Sequence, residues 1–160
     1  MSKESKQKNP QIKVVCRNRR ARHNYHIEDT MEAGLVLVGT EVKSLRQGSA
    51  DLSDSYAVSR QGELFLVGVH IACYDKATHF NHDPRRDRKL LLHKRAINRL
   101  GIKIRERGYT LVPLEIYFDG GWAKVLLGLA KGRKQHDNRE TIRRKEERRE
   151  MREAVKERRQ

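Results

Sequence analysis

Aromatic residues are scarce in this chain: Phe, Trp and Tyr together make up 6% of its 160 residues. A protein that holds single-stranded nucleic acid by stacking needs several exposed rings alternating with cations. The rings present, among them Tyr25, Phe65, Tyr109, Tyr117, Phe118 and Trp122, mostly fall on strand-like segments as core candidates. Cysteine is limited to Cys16 and Cys73, which form no Cys-x-x-Cys pair; two unpatterned thiols suit a reducing cytosol. No apolar run nears the ~18 residues needed to span a bilayer, and the polar start does not read as a signal peptide. Neither terminus alternates a basic face with Trp, Phe and Leu, as an interfacial helix would. A cytoplasmic location with no membrane partner is expected.

Catalytic patterns are missing as well. The seven histidines show no nucleophile–base–acid arrangement, and no nucleophile elbow is present. Gly120-Gly121 and Gly132 lack the lysine context of a phosphate loop. His79, His82 and Asp83 invite a metal reading, but no second ligand pair stands at structural zinc spacing. No catalytic residue, cofactor or metal is expected.

Charge is what the chain has in quantity. Lys and Arg number 36 against 21 Asp and Glu, a formal net of +15. Residues 1–22 carry a net of +7 and residues 131–160 a net of +6. An internal band, 85–107, carries +8, which leaves the rest of the body acidic. Positive charge concentrated in two ends and one band calls for a polyanionic partner. With so few rings for stacking, structured RNA read by shape and backbone fits better than a single strand.

Hydrophobic periodicity divides the chain into three parts. Residues 1–20, with a short Ile12–Val15 patch, read as a flexible basic arm. Residues 21–132 read as the folded domain, and residues 133–160 as a basic tail that is disordered alone and helical on a partner. In the domain, the run Gly34–Gly39, apolar through Leu35, Val36, Leu37 and Val38, is short enough for a buried strand, and Thr40–Arg46 makes one or two helical turns with Thr40 as cap. Ser55–Ser59 and Leu64–Ile71 bracket Gln61-Gly62, a hairpin signal. Thr110–Phe118 alternates, with Val112, Leu114, Ile116 and Phe118 on one face. Asp119-Gly120-Gly121 then turns the chain into Trp122–Lys131, whose Ala123, Val125, Leu127 and Leu129 point inward. Ile97, Leu100 and Ile104 make the apolar stripe of a helix near Lys94–Arg107, which Gly108 ends. Five or six short antiparallel strands with inserted helices predict a mainly β fold: a small closed OB-like barrel of about six strands with two or three flanking helices. A sandwich is the alternative.

Two segments stand out as binding candidates. Asp83 to His93 places Arg86, Arg88 and Lys89 before the triplet Leu90-Leu91-Leu92, read here as an anchor that fixes cations against a phosphate backbone. Glu41–Gly48 puts Val42 and Leu45 toward the barrel and Lys43, Arg46 and Gln47 outward, which from spacing alone is also a plain amphipathic turn. The cluster Arg19, Arg20 and Arg22 extends the positive surface.

Several motifs together resemble the SsrA-binding protein (small protein B) family. They are Asn18-Arg19-Arg20-Ala21-Arg22-His23-x-Tyr25, Glu32-Ala33-Gly34, Gly39-x-Glu41-Val42-Lys43-Ser44-Leu45-Arg46, Arg88-Lys89-Leu90-Leu91-Leu92-His93-Lys94, Gly121-x-Ala123-Lys124-Val125, and Gly128-x-Ala130-Lys131-Gly132-Arg133-Lys134-x-His136-Asp137. The resemblance runs from about Cys16 to Arg139. It implies an OB-like barrel that binds the tRNA-like domain of transfer-messenger RNA and delivers it to stalled ribosomes. There trans-translation tags the nascent peptide for proteolysis, and elongation factor Tu takes part indirectly through the RNA. It assigns RNA contacts to Glu32, Leu91 and Lys124, with Lys131 and the basic residues above as further candidates. It sends the tail, Gly132, Arg133, Lys134, His136, Asp137, Asn138 and Arg139, toward the small-subunit decoding centre and mRNA channel. Asn138 departs from the lysine usual there, Cys73 from a common proline, and Ala96 from a common glutamate. A monomer is expected. The competing readings are a small basic structural ribosomal protein and a metal-dependent RNA-cleaving enzyme using His79, His82 and Asp83.

Overall fold

A computed structural model of the chain describes residues 11–106, 108–132 and 143–152. In chain order the elements are β1 (Ile12–Arg17), α1 (Ala21–Asn24), β2 (Tyr25–Leu35), α2 (Gly39–Arg46), β3 (Ala50–Asp51), β4 (Tyr56–Arg60) and β5 (Glu63–Val67). They continue with β6 (His70–Ile71), β7 (Arg88–Leu91), α3 (Lys94–Arg105), β8 (Tyr109–Asp119) and β9 (Trp122–Gly132). Residues 143–152 form a further helix, α4, with exposed side chains.

Six strands close a ring in the order β8-β4-β5-β7-β2-β9 and back to β8, all antiparallel. Closure leaves the ring's strands paired rather than as open edges, so the expected OB-like barrel is what forms. β9 pairs along the whole of β8, while the opposite edge of β8 is shared. Leu111 meets Ala57 of β4 there, and Glu115–Asp119 meet β1. The expected flexible arm therefore needs correction, because Ile12–Arg17 is a strand in register with β8. Four of its six residues, Ile12, Val14, Val15 and Cys16, are strand formers or small apolar groups that can cover the free half of that edge. Burial pushes the Cys16 thiol up to about 11, against a lowering hydrogen bond from the Ile116 backbone, which leaves it an unreactive thiol.

Turn chemistry follows the sequence. Gln61 and Gly62 both take positive φ, 51° and 75°, as the tight turn joining β4 to β5 requires. The run after Leu64 does not continue to Ile71, however. Gly68, at φ 81°, breaks it, and His70–Ile71 pairs instead with Ala50–Asp51 as a separate two-stranded ribbon.

The core is one cluster inside the ring. Leu64, Leu66, Leu111, Ile116, Val125 and Leu127 are fully buried in it, closed at the ends by Leu45 of α2 and Leu100 of α3. Each such side chain contributes roughly 1.5–3 kcal/mol on leaving water. The single inward face expected for Thr110–Phe118 is corrected by a register shift between Pro113 and Glu115. A bulge adds one residue and flips the side chains beyond it to the other face. Leu111, Ile116 and Phe118 accordingly enter the barrel, while Val112 and Leu114 pack outside it with Ala21 and Ala130 beneath α1.

Candidate RNA interface

Three adjacent strands build the centre of the site. In the sheet Gly34 of β2 stands opposite Leu91 of β7 on one side and Lys124 of β9 on the other, and Lys124 in turn stands opposite Tyr117 of β8. Strands lie about 4.7–4.9 Å apart, so Leu91 and Lys124 flank a bare glycine roughly 10 Å across. Glu32, two residues before Gly34, points to the same face. A Cβ on Gly34 would meet the Leu91 Cβ at 3.2 Å. The glycine thus keeps a slot open between an exposed leucine and a lysine. Leu91 is 55% exposed while Leu90 is buried, which corrects the reading of the leucine triplet as an anchor: strand alternation sends its middle member out.

Lys124 is not a free cation. Its ammonium donates to Glu32 Oε1 at 2.7 Å and to Asp119 Oδ2 at 3.0 Å, and the Tyr117 hydroxyl donates to Glu32 Oε2. The Lys124 and Tyr117 hydrogen bonds hold the Glu32 carboxyl below its ordinary value, and the same carboxylates raise the Lys124 ammonium above its own. Burial, then the bond to Glu32, pushes the Tyr117 hydroxyl up. The ammonium is thereby fixed at the lip of the slot rather than waving on a flexible stem. Beyond it, Val36, Leu91 and Trp122 form an apolar rim, with Trp122 76% exposed.

A substitution follows from the slot. Gly34→Val puts a good strand former where the space between Leu91 and Lys124 must stay open. Thermal melting is expected to show a folded domain, and RNA affinity is expected to fall at least tenfold. Undiminished affinity in the folded variant would show that nothing enters the slot.

The other expected contacts divide by whether a carboxylate already holds them. Arg88 is fully buried; its guanidinium donates to Glu41 Oε1 at 2.8 Å, to the Val69 carbonyl at 2.6 Å and to the Pro84 carbonyl at 3.1 Å. It cannot reach RNA, and its place among the contacts is corrected. Arg86 makes two 2.7 Å bonds to the same Glu41 carboxylate. Burial alone would raise the Glu41 carboxyl, but the bonds from Arg86 and the Val38 N–H, with the charge of Arg88, outweigh it and leave the group below its ordinary value. Glu41 also replaces Thr40 as the expected cap, because it accepts the Val38 N–H at 3.0 Å. Lys89 pairs with Glu63 at 2.5 Å.

The remaining candidates are open. Lys43 lies 5.3 Å over the Tyr74 ring, Arg46 5.0 Å over Phe118 and Lys131 5.8 Å over Tyr109, contacts that orient a cation while leaving its charge available. Arg19, Arg20 and Arg22 are exposed on a segment pinned by Asn18. The Asn18 amide donates to the Leu52 and Pro113 carbonyls, and its oxygen accepts the Ala21 N–H. Gly132 ends β9 with its surface exposed; Arg133, Lys134, His136, Asp137, Asn138 and Arg139 lie outside the described residues. His82 is buried with both ring nitrogens engaged, Nδ1 with the Thr40 hydroxyl and Nε2 with the Ile71 carbonyl, each at 2.9 Å. That makes it a structural histidine tying the 82–84 segment to α2, rather than half of a metal pair. Among the described residues no group of three or more His, Cys, Asp or Glu could hold a metal ion, and no helix is long and apolar enough to cross a membrane.

Sequence reasoning missed Gly34, Tyr117 and Asp119. The alternation of β8 places Tyr117 and Asp119 on the Glu115 face, and that was the signal available for them.

A closed small-strand barrel whose outer slot joins an apolar rim to a held ammonium, with exposed lysines and arginines around it, defines a protein that binds a folded polyanion. The chain belongs to the SmpB protein family, whose model matches residues 15–157. It is 53% identical over 146 residues to an SsrA-binding protein of Shouchella clausii, covering 91% of this chain and 94% of that one. An SsrA-binding protein of Geobacter metallireducens is 56% identical over 146 residues, covering 91% and 95%. The fold matches a chain in a solved structure described as "tmRNA-SmpB: a journey to the center of the bacterial ribosome", with TM-score 0.66 and 52% identity, covering 82% of this chain and 95% of that one.

Proposed function

We propose that this chain binds transfer-messenger RNA through its barrel and delivers it to stalled ribosomes for trans-translation in the cytoplasm, acting as a binding protein and not as an enzyme. The observation that carries the reading is the row Leu91–Gly34–Lys124 with Glu32 beside it. It joins an apolar surface for a base or sugar, a fixed ammonium for phosphate and a carboxylate for base or ribose donors in one slot. The high identity to SsrA-binding proteins over most of both chains supports the choice of RNA. The tRNA-like domain is the part gripped, with elongation factor Tu joining through the RNA. The tail from Gly132 to Arg139 goes to the decoding centre and mRNA channel of the small subunit.

Lys124→Ala tests the slot. Removing the ammonium leaves Glu32 and Asp119 facing the RNA with no cation between them. The variant should therefore lose more affinity than Lys131→Ala, whose side chain has no carboxylate partner among the described residues. The log–log salt slope should fall by about 0.7–0.9, one phosphate contact. Filter binding to the isolated tRNA-like domain across a salt series reads both quantities; an unchanged slope rejects the phosphate role of Lys124.

A further inference from the structure

The slot does not end at Leu91. The depression lined by Glu32, Gly34 and Leu91 shares Met31, His93 and Ala96 with a larger cleft of about 740 Å³ between α3 and β2. That cleft has an apolar floor of Met31, Leu100 and Leu129, and its wall carries Lys94, Arg95, Arg99 and Lys103 against the single acid Asp29. The cleft exists because β7 pairs with β2 only at Gly34 and Leu35, while β9 takes the other edge of β2 along most of its length. α3, tethered directly after β7, spans the remainder by burying Ile97 and Leu100.

The charge on α3 differs from that of the paired cations beside it, three in the basic band and Lys124 on β9. Arg86, Arg88, Lys89 and Lys124 are each in an ion pair. Among the described residues, none of Lys94, Arg95, Arg99 and Lys103 has a carboxylate within ion-pair distance. Arg95, Arg99 and Lys103 recur every four residues, so they form one row along the helix with a rise of about 6 Å between neighbours. Like charges at this spacing repel and cost the free helix stability. A phosphodiester strand lying along the row removes that repulsion and releases its own counterions.

We propose that the RNA backbone leaving the Glu32–Leu91–Lys124 slot runs through the α3 cleft, with Arg95, Arg99 and Lys103 each taking a phosphate of the same RNA. This rests on the reading that the chain binds transfer-messenger RNA, and it adds a second contact region continuous with the first. The cleft's open polar wall takes the backbone, and its apolar floor takes sugar edges.

The test compares the intact chain with the triple variant Arg95→Gln, Arg99→Gln, Lys103→Gln; glutamine keeps helix propensity close to that of lysine and arginine. Binding to the isolated tRNA-like domain is measured across a salt series, with vacant ribosomes as a separate arm. The triple variant should bind the RNA at least tenfold more weakly, with its log–log slope reduced by about 2, while Arg99→Gln alone removes about one contact's share. The single variant keeps the test decisive where the triple variant loses its fold. An unchanged slope for both variants while Lys124→Ala still weakens binding overturns the α3 path and leaves the slot standing. A loss confined to the ribosome arm also overturns it. If the intact chain does not bind the RNA, the underlying reading fails first, and that outcome overturns both.

Discussion

Replacing Glu41 by Gln is expected to shift the urea midpoint of the barrel further than any surface substitution, by an amount equivalent to about 3–5 kcal/mol. Glu41 and Arg88 are both fully buried, and Glu41 is the one carboxylate that meets Arg88 among the described residues. Without it the buried guanidinium keeps only carbonyl partners, so its desolvation is no longer offset. Small domains hold about 5–15 kcal/mol in total, so the loss is a large fraction of stability. The natural control is Lys89→Gln, which breaks an exposed pair with Glu63 and should cost under about 1 kcal/mol. Equal midpoints for the two variants would contradict the role given to Glu41. The pH dependence carries its own sign. Because the folded Glu41 carboxyl lies below its ordinary value, its contribution is fully present above the unfolded value, about 4.3 for a glutamate. It is lost as pH falls through the lower folded value. Glu41→Gln should therefore flatten part of the acid limb of the stability profile.

Truncation after Lys134 should separate the two halves of the proposed function. The slot, the α3 row and the Asn18-pinned arginines all precede that point, so the truncated chain should bind the tRNA-like domain nearly as the intact chain does. Peptide tagging in reconstituted translation should fall to background. Residues 143–152 of the tail are already helical, and ordering on binding costs about 2–5 kcal/mol, so the proposed engagement of the tail is conditional on a vacant channel. Tagging by the truncated chain would refute this division. Loss of RNA binding on truncation would equally refute it.

How much of this was legible in the sequence depends on whether a signal was local. The long β8–β9 hairpin, the Gln61-Gly62 turn and the stripe of α3 are written in periods of 2 and 3.6 and in turn chemistry, and they formed as expected. The failures came from events that no local period records. The bulge between Pro113 and Glu115 reassigns Val112 and Leu114 to the outside. The pairing of Ile12–Arg17 depends on half an edge of a strand nearly a hundred residues away. Arg88 was the avoidable error. Arg86, Arg88 and Leu90 share strand parity, and an inward Leu90 carries Arg88 inward with it. Buried arginine requires a buried acid, and Glu41, inside a motif read for its lysine and arginine, was that acid. The proposed RNA contacts Glu32, Leu91 and Lys124 came from the family resemblance. Their meeting around Gly34 needs three strands from distant parts of the chain, so no spacing rule could show it.

Binding of the intact chain to the tRNA-like domain of transfer-messenger RNA with no ribosomes present, followed across a salt series, tests the proposed function most directly. The expected result is tight, saturable binding with a steep log–log slope of several phosphate contacts, maintained against an excess of ribosomal RNA fragments. Binding that is weak, flat in salt or lost to those fragments would contradict it.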